Sequence, residues 1–446
     1  MFSLNEGMFW DNVLFASRMG NQLYHNGLFN INMPIEFDPG HPPFLAFINA
    51  LGWKLFGHKL WVSHLMMTPF IFGFFIQLYV FIGHFIDKPF LRLAAFLLIC
   101  ADPTLSSHLI LVNPQIIQLF FFLLSINGII QRNSFYKIIG LAFLGIITFR
   151  GMMMCAGIFI FELLSHVIID KKRFSVFFNK KLLLEYLIAS IPAISYVTWR
   201  LITKGWLQSH PGSPWSSLWQ FAGITDFLRN LLVLANRYFD FGRIGIFIFL
   251  IYILVKKKTL LNETHAKSLL ILALCVDLVT IIVSLFSKNT MGHRYFMASN
   301  LAFTMLAFYL LLQFPRSGKW IYSSLLLLLV TGNLWIYSDH ISQGWDSTLA
   351  HVPYFKLRSE AVHFMDEHKI PIEKTATFFP NTAKLDLIDL KGDQRSFQPF
   401  TGENEYVFYS NVYNLTDNDF KILYTNYESI ATFSKCRIRV VLYKKK

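Results

Sequence analysis

The sequence predicts a polytopic α-helical membrane protein of about ten spans, followed by a small C-terminal α+β domain outside the cytoplasm. Three observations carry this. Apolar segments fill residues 60–337, basic clusters fall on every second connection between them, and polar residues return after 338. Composition agrees: 54% of the 446 residues are hydrophobic and 15% charged, with 47 Phe, far from a soluble average.

The clearest spans are Leu60–Ile86, Gln115–Ile130, Leu182–Thr203, Ser268–Phe286, Phe296–Phe314 and Trp320–Tyr337. Each is close to the ~20 residues a helix needs to cross a ~30 Å hydrocarbon layer. Shorter segments lie at Phe90–Ala101, Phe135–Phe149, Met152–Ile169 and Ile244–Leu254. Lipid cannot satisfy backbone N–H and C=O groups, so stretches this apolar must be helical.

Lys88/Arg92, Arg132/Lys137, Lys171-Lys172-Arg173 with Lys180-Lys181, Lys256-Lys257-Lys258 with Lys267, and Arg316/Lys319 mark the cytoplasmic connections. The loops 102–114, around 150, 204–243 and 287–295 then lie outside, with residues 1–59 and 338–446. Much of the formal charge of +13 is therefore topological. A nucleic-acid partner is not indicated, because the positive charge flanks spans and forms no soluble basic face. Cys100, Cys155 and Cys275 fall in spans and Cys436 outside, so no disulfide framework is implied. An even number of spans puts both chain ends outside, yet the first 30 residues contain no leading apolar helix. The reading expects a further helix upstream of Met1.

Residues 1–59 form an outside segment with interfacial helices. Glu6, Asp11, Glu36 and Asp38 make it acidic, and Val13, Leu14, Ala16, Met19 and Leu23 trace a helix after Trp10-Asp11. Asp38-Pro39-Gly40-His41-Pro42-Pro43 is a turn that starts a second helix, Phe44–Phe56, too short to span. Carboxylates in such loops are usually solvated; the sharper reading places one of them in catalysis just above the headgroups. His108 and Asn113 lie in the next outside loop, Arg150 stands between two apolar segments, and His293-Arg294-Tyr295 opens a late span. A guanidinium at that depth can hold a phosphate bidentately, although arginines at helix ends also snorkel to the interface.

The order of these elements resembles the GT-C superfamily of membrane glycosyltransferases, in the branch of protein O-mannosyltransferases, lipid A aminoarabinose transferases and RgtA/B/C/D-like enzymes. Trp10-Asp11 is similar to that group's acidic residue in the first outside loop. His41-Pro42-Pro43-Phe44 through Lys54-Leu55-Phe56-Gly57 is similar to its Pro-Pro element and short helix, and His293-Arg294-Tyr295 to its late His-Arg-Tyr. Two features depart from the pattern: the first helix is missing, and Asn113-Pro114-Gln115 replaces a second acidic position.

The resemblance implies a GT-C-like helical bundle that moves a sugar from a polyprenyl-phosphate donor to an acceptor hydroxyl of a lipid, glycan or protein. Asp11 would be the general base; Arg294, His293 and Arg150 would hold the donor phosphate; Asp38, His41, Glu36, His108 and Asn113 would shape the pocket. No cofactor is certain; a divalent metal is an option, with Asp38 and His41 as candidate ligands. No Gly-rich phosphate loop opens a helix, as suits a lipid-linked donor. The alternatives are a transporter or flippase for a lipid-linked or polar solute, which would bury charges mid-span, and a non-catalytic envelope scaffold. Small size and the lack of organelle-retention signals favour a bacterial inner membrane.

Residues 338–446 read as the outside α+β domain. Pro353–His368 is an amphipathic helix, Thr375–Phe379, Tyr406–Tyr409 and Ile438–Tyr443 are strands, and Asp419–Tyr424 is a second helix. No nucleophile or metal spacing stands out there, and the domain is expected to cap the site or touch the acceptor.

Overall fold

The computed structural model describes residue 4 and residues 6–171, 179–208, 210, 220–288 and 291–446. Lys172 and Arg173 of the expected basic connections lie outside these residues, as do positions 209 and 211–219 of the expected loop 204–243.

All ten expected apolar segments fall on helices. Four helices are long and apolar enough to cross a membrane: Leu60–Gly83, Phe149–Ile169, Lys180–Lys204 and Thr264–Leu285. Pro114–Ile130, Ser134–Ile147 and Gly318–Gly332 are shorter apolar helices beside them, with Met297–Leu311 buried almost throughout. Leu183, Leu184, Leu187, Ile188, Ile191 and Ile194 are all exposed on Lys180–Lys204. An apolar surface of that extent is stable against lipid and not against water.

Two stretches read as loops in the sequence are helical. Pro103–Ile110 bends by 80° from Pro89–Cys100, and Ile224–Phe239 bends by 96° from Ile244–Lys256. Asp102 starts the first by accepting hydrogen bonds from the backbone N–H of Thr104 and Leu105, with Pro103 at the first helical position. A buried ion pair fixes this corner: Arg243 Nε donates to Asp102 Oδ2 at 2.6 Å and Nη2 to Oδ1 at 2.8 Å. At the opposite end of the bundle Lys137 is enclosed by Glu162, at 2.8 Å, and Glu185, at 2.5 Å.

Phe44–Phe56 forms as expected, and Val13–Asn26 is one continuous helix whose first turn and a half is widened to π geometry.

The terminal domain carries a five-stranded sheet. Strands β1 (Thr375–Thr377), β2 (Gln398–Pro399), β3 (Tyr406–Ser410), β4 (Tyr427–Lys435) and β5 (Ile438–Lys445) pair in the order β2-β1-β3-β5-β4. β1 is parallel to both neighbours; β5 is antiparallel to β3 and β4. Helix Pro353–Glu367 covers it and Asp417–Asn426 packs at its edge, close to the expected bounds. β4 escapes sequence reading because its alternation is mostly polar: Tyr427 is its one buried side chain.

The domain's core reaches back to the chain's beginning. Phe9 is buried in it, stacked on His351 with centroids 4.6 Å apart, and the Met8 N–H bonds the Ile388 carbonyl at 2.8 Å. The first segment is thus pinned to the last.

Candidate functional site

Asp11 owes its position to its neighbours. With Phe9 locked in the terminal domain, Trp10 turns the chain with φ of 50°, a left-handed conformation that costs a bulky residue strain and persists only when packing enforces it. The Trp10 indole lies edge-on to Phe379, centroids 5.6 Å apart. The next residue, Asp11, then projects into a narrow cavity between the helix ends and the terminal domain.

Three helices present their N-terminal turns to that cavity: Pro114–Ile130 through Pro114 and Gln115, Phe149–Leu164 through Arg150, and Met297–Leu311 through Met297 and Ala298. The helix dipole makes such ends favourable to anions, while Asn113 and Thr148 already accept leading N–H groups of the first two.

Arg294 lies in the turn His293–Phe296 that leads into Met297–Leu311, and it is ion-paired at once to Asp11 and Asp346. Arg150 stacks on the Tyr295 ring, its guanidinium carbon 3.3 Å from the centroid. Asp346 is set by the corner helix Pro103–Ile110: Ser107 Oγ donates to the Asp346 carbonyl at 2.7 Å, and Thr104 Oγ1 to the Ser347 carbonyl at 3.2 Å. Burial alone would raise the Asp346 pKa, but the charge and hydrogen bonds of Arg294, with help from His108 and Ser347, hold it at about 2. His41 also lines the cavity, its ring 5.0 Å from that of Phe15. Burial first, then the charges of Arg150, Arg200 and Arg294, lowers it to about 3, so it stays neutral at physiological pH.

Asp11, Arg294, Arg150, His41 and His108 therefore meet in one cavity. Four expected site residues do not line it. His293 is turned away, buried with Nε2 3.0 Å from Asp240 Oδ2 and its ring against Phe241. Asp38 is bound by Arg200 through both oxygens, at 3.0 and 3.1 Å, and also accepts the Gly40 N–H; it clips its own loop to helix Lys180–Lys204. Glu36 is exposed on the short turn Ile35–Phe37. Asn113 caps Pro114–Ile130, accepting from Gln115 and Ile116 while donating to the His108 and Leu111 carbonyls.

The metal reading fares no better, because Arg200 already occupies the Asp38 carboxylate. Among the described residues no three His, Cys, Asp or Glu side chains are grouped to hold a metal ion.

Asp346, Tyr295, Gln118 and Thr148 line the cavity and were not expected. Asp346 had a signal: Trp345-Asp346 repeats the Trp10-Asp11 pair 335 residues later in the chain (346 minus 11). Gln118, in the second turn of Pro114–Ile130, and Thr148, the cap of Phe149–Leu164, had none.

No protein-family profile and no curated protein matches the sequence. Two solved structures of ArnT from Cupriavidus metallidurans match in fold over 99% of this chain and 95% of theirs. The apo structure superposes with a TM-score of 0.54 at 11% identity, and the one bound to undecaprenyl phosphate with 0.51 at 12%. The chain thus shares the fold of these structures, a helical bundle with a small terminal sheet domain, and its apolar helices make it integral to a membrane.

Proposed function

We propose that the protein is a glycosyltransferase that moves a sugar from a polyprenyl-phosphate donor to an acceptor hydroxyl at the extracytoplasmic face, with Asp11 as general base. The observation that carries this is the shared cavity of Asp11 and Arg294, lined by Arg150 and by three helix N-terminal turns. It supports a site for an anion beside a carboxylate. The fold shared with ArnT, one structure of which holds undecaprenyl phosphate, supports a lipid-linked phosphate as that anion.

The chemistry follows from the charges. Before donor binds, Arg294 is divided between Asp11 and Asp346. A donor phosphate brings its own negative charge to Arg294 and Arg150, competing with Asp11 for the guanidinium. Asp11, relieved of its partner, takes the proton of the acceptor hydroxyl as that oxygen bonds to the sugar's anomeric carbon. The bond from that carbon to the phosphate oxygen breaks, and the phosphate leaves with the electron pair. Arg294 and Arg150 stabilise the charge developing there. His41, neutral, serves as a hydrogen-bond partner and adds no competing positive charge.

The test is turnover of a radiolabelled polyprenyl-phosphate sugar by purified protein in lipid nanodiscs. Transfer that disappears in Asp11→Asn supports the assignment. Binding of the lipid with no turnover by wild type would instead favour a carrier or scaffold.

A further inference from the structure

Beyond the inner cavity, on the far side of the Val13–Asn26 helix, lies a larger groove of about 830 Å³ that the reaction above leaves unassigned. One wall is that helix, through Arg18, Gln22 and His25; the other is segment 379–396 of the terminal domain, through Phe379 and Gln394. From Arg18 to His25 the helical wall runs for about 10 Å, at 1.5 Å per residue.

Its chemistry is specific. Its charges are mixed in sign: Arg18 sits over the Phe37 ring at 4.8 Å and near Glu36, and Lys384 and Asp386 stand on the opposite wall. Gln394 bridges Lys384 and Asp386, at 3.4 Å from each. What the groove offers a ligand is therefore amides, hydroxyls and aromatic rings, with no uncompensated field to select a polyanion. Amides donate and accept at once, as hydroxyl-rich ligands require, and rings pack against the C–H faces of sugars.

The inner end of the groove is Phe379, the residue on which Trp10 rests, and Trp10 precedes Asp11 directly. Trp10 is also the strained residue of this segment, and its buried indole Nε1 has no hydrogen-bond partner among the described residues. An unsatisfied donor and a left-handed tryptophan both cost free energy, and such costs collect at functional sites.

We infer that this groove seats the acceptor, and that the acceptor is a saccharide whose reacting hydroxyl passes the Trp10–Phe379 contact to reach Asp11. The inference rests on the transfer reading, which it deepens by naming the acceptor class.

The experiment uses the full chain in nanodiscs with two independent readouts: capture on an array of defined neutral oligosaccharides, and binding of undecaprenyl phosphate. Acidic peptides and bare phospholipid vesicles serve as rival probes. Wild type should capture saccharides. Gln22→Trp, which fills the groove from the helix, should lower that capture at least tenfold and leave undecaprenyl phosphate binding unchanged. Gln394→Trp fills it from the opposite wall and reads the same effect should the first variant misfold. Saccharide capture indifferent to both plugs, or preference for peptides or vesicles, overturns the assignment. Loss of undecaprenyl phosphate binding in wild type, with saccharide capture still sensitive to the plugs, strikes the donor reading and leaves the groove as a saccharide site.

Discussion

The guanidinium of Arg294 is ion-paired to the carboxylate of Asp11 across 283 residues of sequence. Neither residue is held by its own segment alone. Asp11 is placed by Phe9 in the terminal domain's core and Arg294 by the turn that starts a buried helix, while Asp346 closes the arrangement from a third segment.

Asp11→Asn removes the proposed proton acceptor with little change of shape. Transfer should fall by roughly 100- to 10,000-fold, the range for loss of a general base, with the thermal transition retained. A variant that turns over at the wild-type rate would remove Asp11 from the mechanism.

Asp346→Ala leaves Arg294 with one carboxylate in place of two. Asp346 acts through Arg294, so it is a positioning residue. The expected signature is a raised KM for the lipid donor with kcat reduced less. Steady-state kinetics over a donor series would show this split; equal loss in both, with lowered protein yield, would make the residue purely structural.

The Asp102–Arg243 pair should be a fold determinant. Its side chains are 11% and 2% exposed, and stripping one member of a buried pair costs about 3–5 kcal/mol. Asp102→Ala also deletes the cap of Pro103–Ile110, the helix that carries Ser107 to Asp346. Unfolding in graded denaturant should show the loss, and Asp102→Ala with Arg243→Met should recover part of it. A single variant as stable as wild type would refute the pair's importance.

Acid should weaken the site in two windows. His41, lowered to about 3, and His351, lowered to about 4, both chiefly by burial, bind fewer protons folded than unfolded below their ordinary value of 6.5. Stability therefore falls as pH drops from 6.5, by about 1.4 kcal/mol per pH unit for each such group. Asp346, held at about 2, adds a loss between 3.8 and 2. Glu6 has the opposite sign: burial raises it to about 7, so the folded state keeps its proton and stability falls as pH rises from 4.5 to 7. Melting temperatures across pH 4–8 should show that Glu6→Gln flattens the loss above 4.5 due to that group, while His41→Gln flattens part of the loss below 6.5.

The helical course of the chain was legible because lipid leaves an apolar segment no alternative to helix. Phe44–Phe56 and Pro353–Glu367 followed from local periodicity and proline placement. Corner helices Pro103–Ile110 and Ile224–Phe239 were missed because they lie beside spans and end in sharp bends, which hydropathy does not encode. Within the site, Arg294 and Arg150 stood out as charges at span ends and Asp11 as an acid of the outside segment 1–59. Asp38 and His293 carried the same signal and were claimed instead by Arg200 and Asp240.

By itself, then, the sequence determined which segments enter the membrane and which charges stand at their ends, since both are local consequences of transfer free energy. Only the tertiary structure decided which carboxylate meets which guanidinium. Any of several acids could have neutralised Arg294. Asp11 and Asp346 do so because Phe9 and Ser107 anchor their backbones within reach, and a buried charge is stable only where packing delivers its partner.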